Sequence, residues 1–188
     1  MHDSTLPAAF RAIESVYRPS RSATVSAVEL LDGDPDLDPI NGSPRPFSDW
    51  LTTFPMLLAV IDPYTHQSSF LLDTIERIFH HYQGAGVRVA WLATGPADGV
   101  TSFLGPYGEK YLTFADPSAA AAKALGVSTL PALVLVKQDG TIAGSAQGWR
   151  PTQWQAVATT VDQLTGWSGL NIPGPKDPRP YAGTALHG

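Results

Sequence analysis

The chain has 188 residues, of which 43% are hydrophobic and 15% are charged, and its net charge is −5 at pH 7. That length and hydrophobic share suffice for one domain with a substantial core and additional arms. The slightly negative charge provides no basic surface, so nucleic acid is excluded as an expected partner. The sequence contains no cysteine, which excludes disulfides, thiolate metal sites and thiol-disulfide exchange by this chain alone.

The amino-terminal sequence and the hydropathy bear on where the protein resides. Residues 1–7 have neither a basic start nor a long apolar run, and no stretch reaches the ~20 apolar residues of a membrane span. We therefore expect neither a signal peptide nor a membrane span, and we expect a cytoplasmic protein.

Residues 1–54 are predicted to form an N-terminal extension. Apolar residues at helical spacing predict a short amphipathic helix over 6–17, and a strand is predicted over 24–31. The acidic, turn-rich segment 32–39 is predicted to be a loop without regular structure. Ser48 is predicted to cap a short helix that leads to the first central strand.

Residues 55–166 alternate between strand and helix patterns. Parallel strands joined by crossover helices and closed by a hairpin predict a mixed sheet covered on both faces. The first predicted elements are a buried strand over 56–61, a helix after residue 68 with Leu71, Ile75, Ile78 and Tyr82 on one face, and a strand through Val87, Val89 and Trp91. They are followed by a helix entered at 95–99 and a helix capped by Asp116 and stopped by Gly126. The last elements are a return strand over 142–147 and a helix from Pro151 that carries Trp154, Val157, Val161 and Leu164.

The first central strand and the segment after it resemble the thioredoxin-like superfamily. The strand leads through Asp62-Pro63-Tyr64 into Thr65-His66-Gln67-Ser68, at the point where that family places Cys-x-x-Cys at a helix start. Thr65 and Ser68 stand at the two cysteine positions, and their hydroxyls cannot replace thiols because they ionise far outside the physiological range. Ala59 stands where many thioredoxins keep a buried acid.

A second segment extends the resemblance. Residues 128–136 resemble the family's cis-proline loop and the strand after it, with Pro131 as the cis residue. The turn at 137–140 is similar to that of the TlpA-like and peroxiredoxin-like branch, and Gly148 stands where the family's last strand usually ends in glycine. The resemblance covers roughly residues 55–166 and implies an α/β fold with three α/β/α layers around a central mixed sheet.

The resemblance also implies a groove at one end of the sheet. In the family, the loop before the first helix and the cis-proline loop meet there and bind extended peptide through backbone bonds. We call this place the candidate groove, and its residues are Tyr64, Thr65, His66, Gln67 and Ser68 on one side and Thr129, Leu130 and Pro131 on the other.

Each of these side chains also has a simpler interpretation. Thr65 and Ser68 are interpreted as helix caps, and the alternative is that they are nucleophiles. His66 is interpreted as an exposed residue, with a neutral base or donor as the alternative. Tyr64 either stacks on a ligand or covers the strand end. No cofactor and no metal site is predicted, since the adjacent His80-His81 on a helix point about 100° apart.

Residues 167–188 are predicted to form a proline-rich C-terminal arm. Its prolines exclude a helix, while apolar residues such as Trp167, Leu170, Ile172 and Tyr181 provide anchors along an extended chain. We expect this arm to lie over its own domain or over a neighbouring subunit.

Three functions fit these observations. The first is a redox-inactive protein-binding or chaperone module that uses the candidate groove. The hydrogenase-maturation chaperones of thioredoxin fold are similar, because they also lack the cysteine pair and carry Asp-Pro after the first strand, as Asp62-Pro63 does here. The second is a structural subunit of a larger or homo-oligomeric assembly, joined through the arm and the N-terminal segment. The third is an enzyme that borrows a thiol from a small molecule and holds it with the hydroxyl of Thr65, Ser68 or Tyr64.

Overall fold

The structure of the protein, a computed structural model, describes residues 31–187. The helix predicted over 6–17 and all but the last residue of the strand predicted over 24–31 lie outside them. The strands are β1 (Asp36–Pro39), β2 (Arg45–Pro46), β3 (Met56–Ile61), β4 (Arg88–Ala93), β5 (Leu112–Ala115), β6 (Thr129–Leu130), β7 (Ala132–Val136), β8 (Ile142–Gln147) and β9 (Thr184–Ala185). The helices are α1 (Phe47–Leu51), α2 (His66–Ser69), α3 (Leu72–Tyr82), α4 (Ala97–Leu104), α5 (Pro106–Lys110), α6 (Ala120–Ala124) and α7 (Pro151–Thr165).

The central sheet is mixed, as the sequence predicts. Its seven strands lie in the order β2-β1-β5-β4-β3-β7-β8. β3, β4 and β5 are parallel, while β7, β8, β1 and β2 are each antiparallel to their neighbours. β6 and β9 form a separate two-stranded antiparallel sheet.

Strand β3 lies inside the sheet, between β4 and β7, and is buried on both faces, which explains its unbroken apolar sequence. Leu57, Ala59 and Ile61 face a cluster that contains residues of α3, α4 and α7. The alternating residues Met56, Leu58 and Val60 belong to a second cluster with residues of α1 and α6. Helices therefore cover both faces of the sheet, and the predicted thioredoxin-like α/β/α fold is confirmed.

Helix α7 begins at Pro151 as predicted, and Trp154, Val157 and Val161 are buried. Leu164, which the same helix carries, is 48% exposed. At about 100° per residue, Leu164 lies about 80° around the helix from Trp154, at the edge of the buried arc. Its position on the helix therefore accounts for its exposure.

Two predictions for the segment before β3 were wrong. Residues 36–39 form β1 instead of an irregular loop, with Leu37 and Pro39 buried and the alternating Asp36 and Asp38 exposed. This two-residue alternation, together with pairing to β5, outweighs the turn propensity of the aspartates. Ser48 does not cap α1, which begins one residue earlier; its backbone N–H and its hydroxyl donate to the carboxylate of Asp34, at 2.8 and 2.6 Å.

The predicted cap of the alanine-rich helix is confirmed. The Asp116 carboxylate accepts the backbone N–H groups of Ala121 and Ala122, at 3.3 and 2.9 Å. The helix predicted after residue 68 is divided into α2 and α3, with Phe70 and Leu71 between them.

The C-terminal arm lies on its own domain, which is one of its two predicted placements. Residues 167–178, called here the arm anchor, bury Leu170 and Ile172 in the cluster that contains α3 and α7. Residues 181–187, called here the arm strand, contain β9 and pair with β6. None of the helices formed by residues 31–187 is long and apolar enough to cross a membrane.

Candidate functional site

The loop after β3 holds the two hydroxyl residues of the candidate groove against each other. The hydroxyl oxygens of Thr65 and Ser68 are 3.0 Å apart, and Ser68 is fully buried. The Ser68 hydroxyl accepts the N–H of Asp62 at 3.0 Å, and the Thr65 hydroxyl donates to the carbonyl of Asp62 at 3.3 Å. Thr65 precedes the first residue of α2, but its side chain makes no capping bond, so the interpretation of these hydroxyls as helix caps was wrong.

These contacts connect the two hydroxyls to each other and to the backbone of Asp62. The Ser68 oxygen also accepts an N–H and has no solvent-exposed surface. The place of the family's second cysteine is therefore occupied by a structural contact that ties the loop to α2.

Tyr64 and His66 are exposed at the start of α2. Tyr64 is 68% exposed, and its ring lies over the entry to α4, where a Cβ added to Gly99 would lie 2.4 Å from its hydroxyl oxygen. This entry follows β4, which flanks β3 on the side opposite β7, so the ring leans away from the cis-proline loop. The carbonyl of His66 accepts the Ser69 hydroxyl at 2.7 Å, and its side chain lies at the surface.

The other side of the candidate groove is the predicted cis-proline loop. The peptide bond between Leu130 and Pro131 is cis, which confirms the prediction. Leu130 is 1% exposed because its side chain packs in the core, so only its backbone is presented to the groove. We call the backbone of residues 128–130 the cis-proline edge.

Gln147, which the sequence did not single out, positions this edge. Its side-chain oxygen accepts the N–H groups of Ser128 and Thr129 at 2.8 and 3.0 Å, and its amide nitrogen donates to the carbonyl of Gly126 at 3.0 Å. A glutamine at the end of a strand has no distinctive spacing, so only the folded hairpin of β7 and β8 reveals this role.

The arm strand occupies the cis-proline edge. Ala185 and Thr184 pair antiparallel with Thr129 and Leu130, and the N–H of Leu186 donates to the carbonyl of Ser128 at 2.8 Å. The sequence predicts that the arm covers its domain or a neighbour, but it does not predict that the arm lies in the candidate groove.

The arm strand also joins the two sides of the candidate groove. Tyr181 and Trp149 exchange two backbone hydrogen bonds of 3.0 and 3.1 Å, and the Tyr181 hydroxyl donates to the carbonyl of Gln67 at 2.5 Å. Burial raises the pKa of Tyr181 above its usual value. Gln67 in α2 is thereby connected to the cis-proline edge through the arm strand.

Two glycines permit this close approach of backbones. A Cβ added to Gly148 would lie 2.2 Å from the carbonyl oxygen of Ala182, and one added to Gly183 would lie 2.4 Å from the carbonyl oxygen of Leu130. Both residues have positive φ, at +66° and +88°, a conformation that favours glycine. The strand-ending Gly148 singled out in the sequence therefore lies directly against the arm.

Among residues 31–187, no three histidine, aspartate or glutamate side chains are grouped so that they could hold a metal ion. His81 packs edge-on against Tyr82 and Trp167.

The sequence matches the model of a known protein family. The sequence model of the Redoxin family matches residues 67–164. Among curated proteins, no match to the sequence was found.

Solved structures with a similar fold include several thioredoxin-like proteins. A hypothetical protein from Sinorhizobium meliloti 1021 aligns with TM-score 0.62 and 16% identity, covering 84% of this chain and 92% of that chain. The pneumococcal exposed lipoprotein thioredoxin from Streptococcus pneumoniae TIGR4 aligns with TM-score 0.57 and 17% identity, covering 70% and 100%. A secreted Mycobacterium tuberculosis disulfide oxidoreductase homologous to E. coli DsbE aligns with TM-score 0.54 and 18% identity, covering 70% and 96%. At these identities the likeness concerns the fold alone.

Proposed function

The chain belongs to the Redoxin family, and because it has no cysteine we propose that it is a redox-inactive binding or assembly module for a protein partner. In this proposal an extended segment of the partner binds in the candidate groove through the cis-proline edge. A chaperone role, in which the segment is held during maturation of the partner, is the specific form that the Asp62-Pro63 resemblance favours.

The observation that carries the proposal is the pairing of an extended strand with the cis-proline edge. The contacts between β9 and β6 are backbone contacts, and no thiol takes part in them. Addition of a strand to an exposed edge is a common mode of peptide recognition, because main-chain hydrogen bonds supply affinity for an extended segment. Because the cis-proline edge pairs with β9, it has the geometry to pair with an extended segment of a partner in place of β9.

The alternative of a hydroxyl-based enzyme is weakened by the same geometry. Such an enzyme needs a free hydroxyl aimed at a bound thiolate, whereas Ser68 is buried and the Thr65 proton is engaged by the carbonyl of Asp62. The exposed Tyr64 hydroxyl leans toward α4, away from the cis-proline edge. The cytoplasmic location expected from the sequence stays a prediction.

A matched pair of glycine variants tests the proposal. Gly148→Ala places a methyl group where the backbone of a bound segment must pass. Gly140→Ala is the control, because Gly140 also has positive φ, at +80°, but an added Cβ would meet no atom within 4 Å. Both variants carry similar backbone strain.

The measurement is affinity capture with the full chain in cells of its native host, followed by cross-linking to locate the contact. We expect a partner that is retained by the wild type and by Gly140→Ala and lost by folded Gly148→Ala, with cross-links near residues 128–130. Retention by Gly148→Ala, or cross-links confined to another face, would contradict the proposal.

A further inference from the structure

The arm anchor and the arm strand are attached to the domain by different kinds of contact. The arm anchor buries two large apolar side chains, and its Asp177 forms an ion pair of 2.7 Å with the partly exposed Arg77. The arm strand contains no fully buried residue; it is held by backbone pairing, and its side chains Tyr181 and Leu186 are only partly buried against the core clusters. Attachment through core side chains is specific to this chain, whereas the backbone groups of the arm strand are present in any extended peptide.

The partly buried Leu186 packs against the cluster that contains α1 and α6, and two further places restrict the ligand more narrowly. Gly183 passes so close to the carbonyl of Leu130, at a φ of +88°, that any larger residue would collide with it. Two residues earlier, the half-buried Tyr181 reaches the carbonyl of Gln67 with its hydroxyl. Ala182 between them is exposed. The recognition pattern of the candidate groove is therefore Tyr-x-Gly on an extended backbone.

We propose that the arm strand is a resident internal ligand of the candidate groove, and that the partner segment is an extended peptide with a Tyr-x-Gly pattern that displaces it. This inference rests on the proposed function, since it names the kind of segment that binds there and what controls its access. The arm anchor stays docked during the exchange and keeps the arm strand close to its site.

The tether makes the closed arm a strong competitor. A segment joined to its site by a short linker acts at an effective concentration on the order of millimolar, so a free peptide of equal intrinsic affinity must reach that range to displace it. Partner binding is therefore weak until the arm strand is released or until the partner adds contacts of its own.

The test uses a fluorescent peptide with the sequence of residues 179–188 and the full chain. Its affinity is measured by fluorescence anisotropy for the wild type and for two variants that release the arm strand in different ways. Gly183→Ala introduces a collision with Leu130, and Leu186→Pro removes the N–H that donates to Ser128. Gly169→Ala is the control within the arm, because its φ is also positive, at +102°, and its added Cβ would meet nothing closer than 3.9 Å.

We expect both release variants to bind the peptide at least about ten-fold more tightly than the wild type and the control do. A peptide with Gly183→Ala should not bind, and one with Tyr181→Ala should bind more weakly. Release variants that bind no more tightly than the wild type would overturn the inference. A wild-type dimer that Gly183→Ala dissolves would also overturn it, because the occupant would then be the arm of a second copy.

The inference and the proposed function fail separately. If the peptide does not bind but a natural partner still depends on Gly148, the groove binds partners and the arm strand is not their mimic. If the peptide binds the release variants but no partner depends on Gly148, the arm strand is exchangeable and the proposed function is wrong.

Discussion

The two parts of the arm differ in how they contact the same domain. In the arm anchor, Leu170 and Ile172 enter the core, and the Asp177 carboxylate accepts hydrogen bonds from Thr74, Arg77 and Gly174. The arm strand adds backbone pairs to the cis-proline edge and to Trp149 without fully burying a residue. Buried side chains make one segment a permanent part of the fold, and backbone pairing leaves the next segment replaceable.

The largest expected effect comes from the arm anchor. Ile172 is 6% exposed, so Ile172→Ala removes buried methyl groups and leaves a cavity that costs about 3 kcal/mol of unfolding free energy. Urea denaturation measures this loss. The control is Leu164→Ala at an exposed position, for which we expect a change within about 0.5 kcal/mol. Equal stability of the two variants would mean that the arm anchor is not part of the core.

The next effect concerns the polar centre of the arm anchor. The Asp177 side chain is 4% exposed and accepts the Thr74 hydroxyl at 2.9 Å and the Gly174 N–H at 2.6 Å, besides its bond to Arg77. Asp177→Ala leaves these donors without their acceptor and should cost about 2 kcal/mol of unfolding free energy. Asp177→Asn, which retains one carbonyl acceptor, should cost less, and the exposed Lys176→Ala should cost little. An equal loss for Asp177→Ala and Lys176→Ala would contradict this account.

A smaller effect on global stability is expected in the arm strand. Its few backbone hydrogen bonds contribute about 1 kcal/mol each, and ordering its residues costs a similar amount per residue. Gly183→Ala should therefore lower the unfolding free energy by less than about 1 kcal/mol while it releases the arm strand. Amide hydrogen exchange at Leu186 should become fast in this variant and stay slow in Gly169→Ala. A large loss of unfolding free energy in Gly183→Ala would show that the arm strand, like the arm anchor, is needed for the stability of the whole fold.

The smallest effect is a dependence of arm closure on pH. Burial raises the pKa of Tyr181 in the closed arm, so the closed state holds the phenol proton more tightly than the released state does. The stabilisation is complete below the released value of about 10 and is lost as the pH rises above it.

A single label can follow this opening. Because the chain has no cysteine, His187→Cys provides one labelling site on the arm strand, and fluorophore anisotropy reports its release. The wild-type arm should open progressively above pH 10, while closure in Tyr181→Phe should lose this dependence on pH. The same opening in both proteins would show that another group controls it.

The parts of the fold that depend on local apolar pattern could be predicted from the sequence. The unbroken run of β3 and the helical spacing of Trp154, Val157 and Val161 are signals of burial, and both were confirmed. β1 was missed because its buried residues are only Leu37 and a proline, and its strand conformation depends on pairing with β5.

The candidate groove could be predicted only in outline. The cis bond at Pro131 follows from the family resemblance and was confirmed. The hydroxyl pair of Thr65 and Ser68 was misassigned as helix caps. The preference of these residue types for cap positions takes no account of a hydrogen bond between the two side chains. The position of the arm strand could not be predicted, because backbone pairing between residues more than fifty positions apart leaves no local pattern.

The most direct test of the central claim observes both sides of the exchange in the wild-type protein. An unlabelled peptide of residues 179–188 is added at about millimolar concentration to the isotope-labelled full chain, and NMR follows individual amides. The account predicts that the chain's own Leu186 amide loses its protection, while the amide of Leu130 keeps the environment of a paired strand. Unchanged protection of Leu186, with the peptide bound elsewhere or not at all, would contradict it.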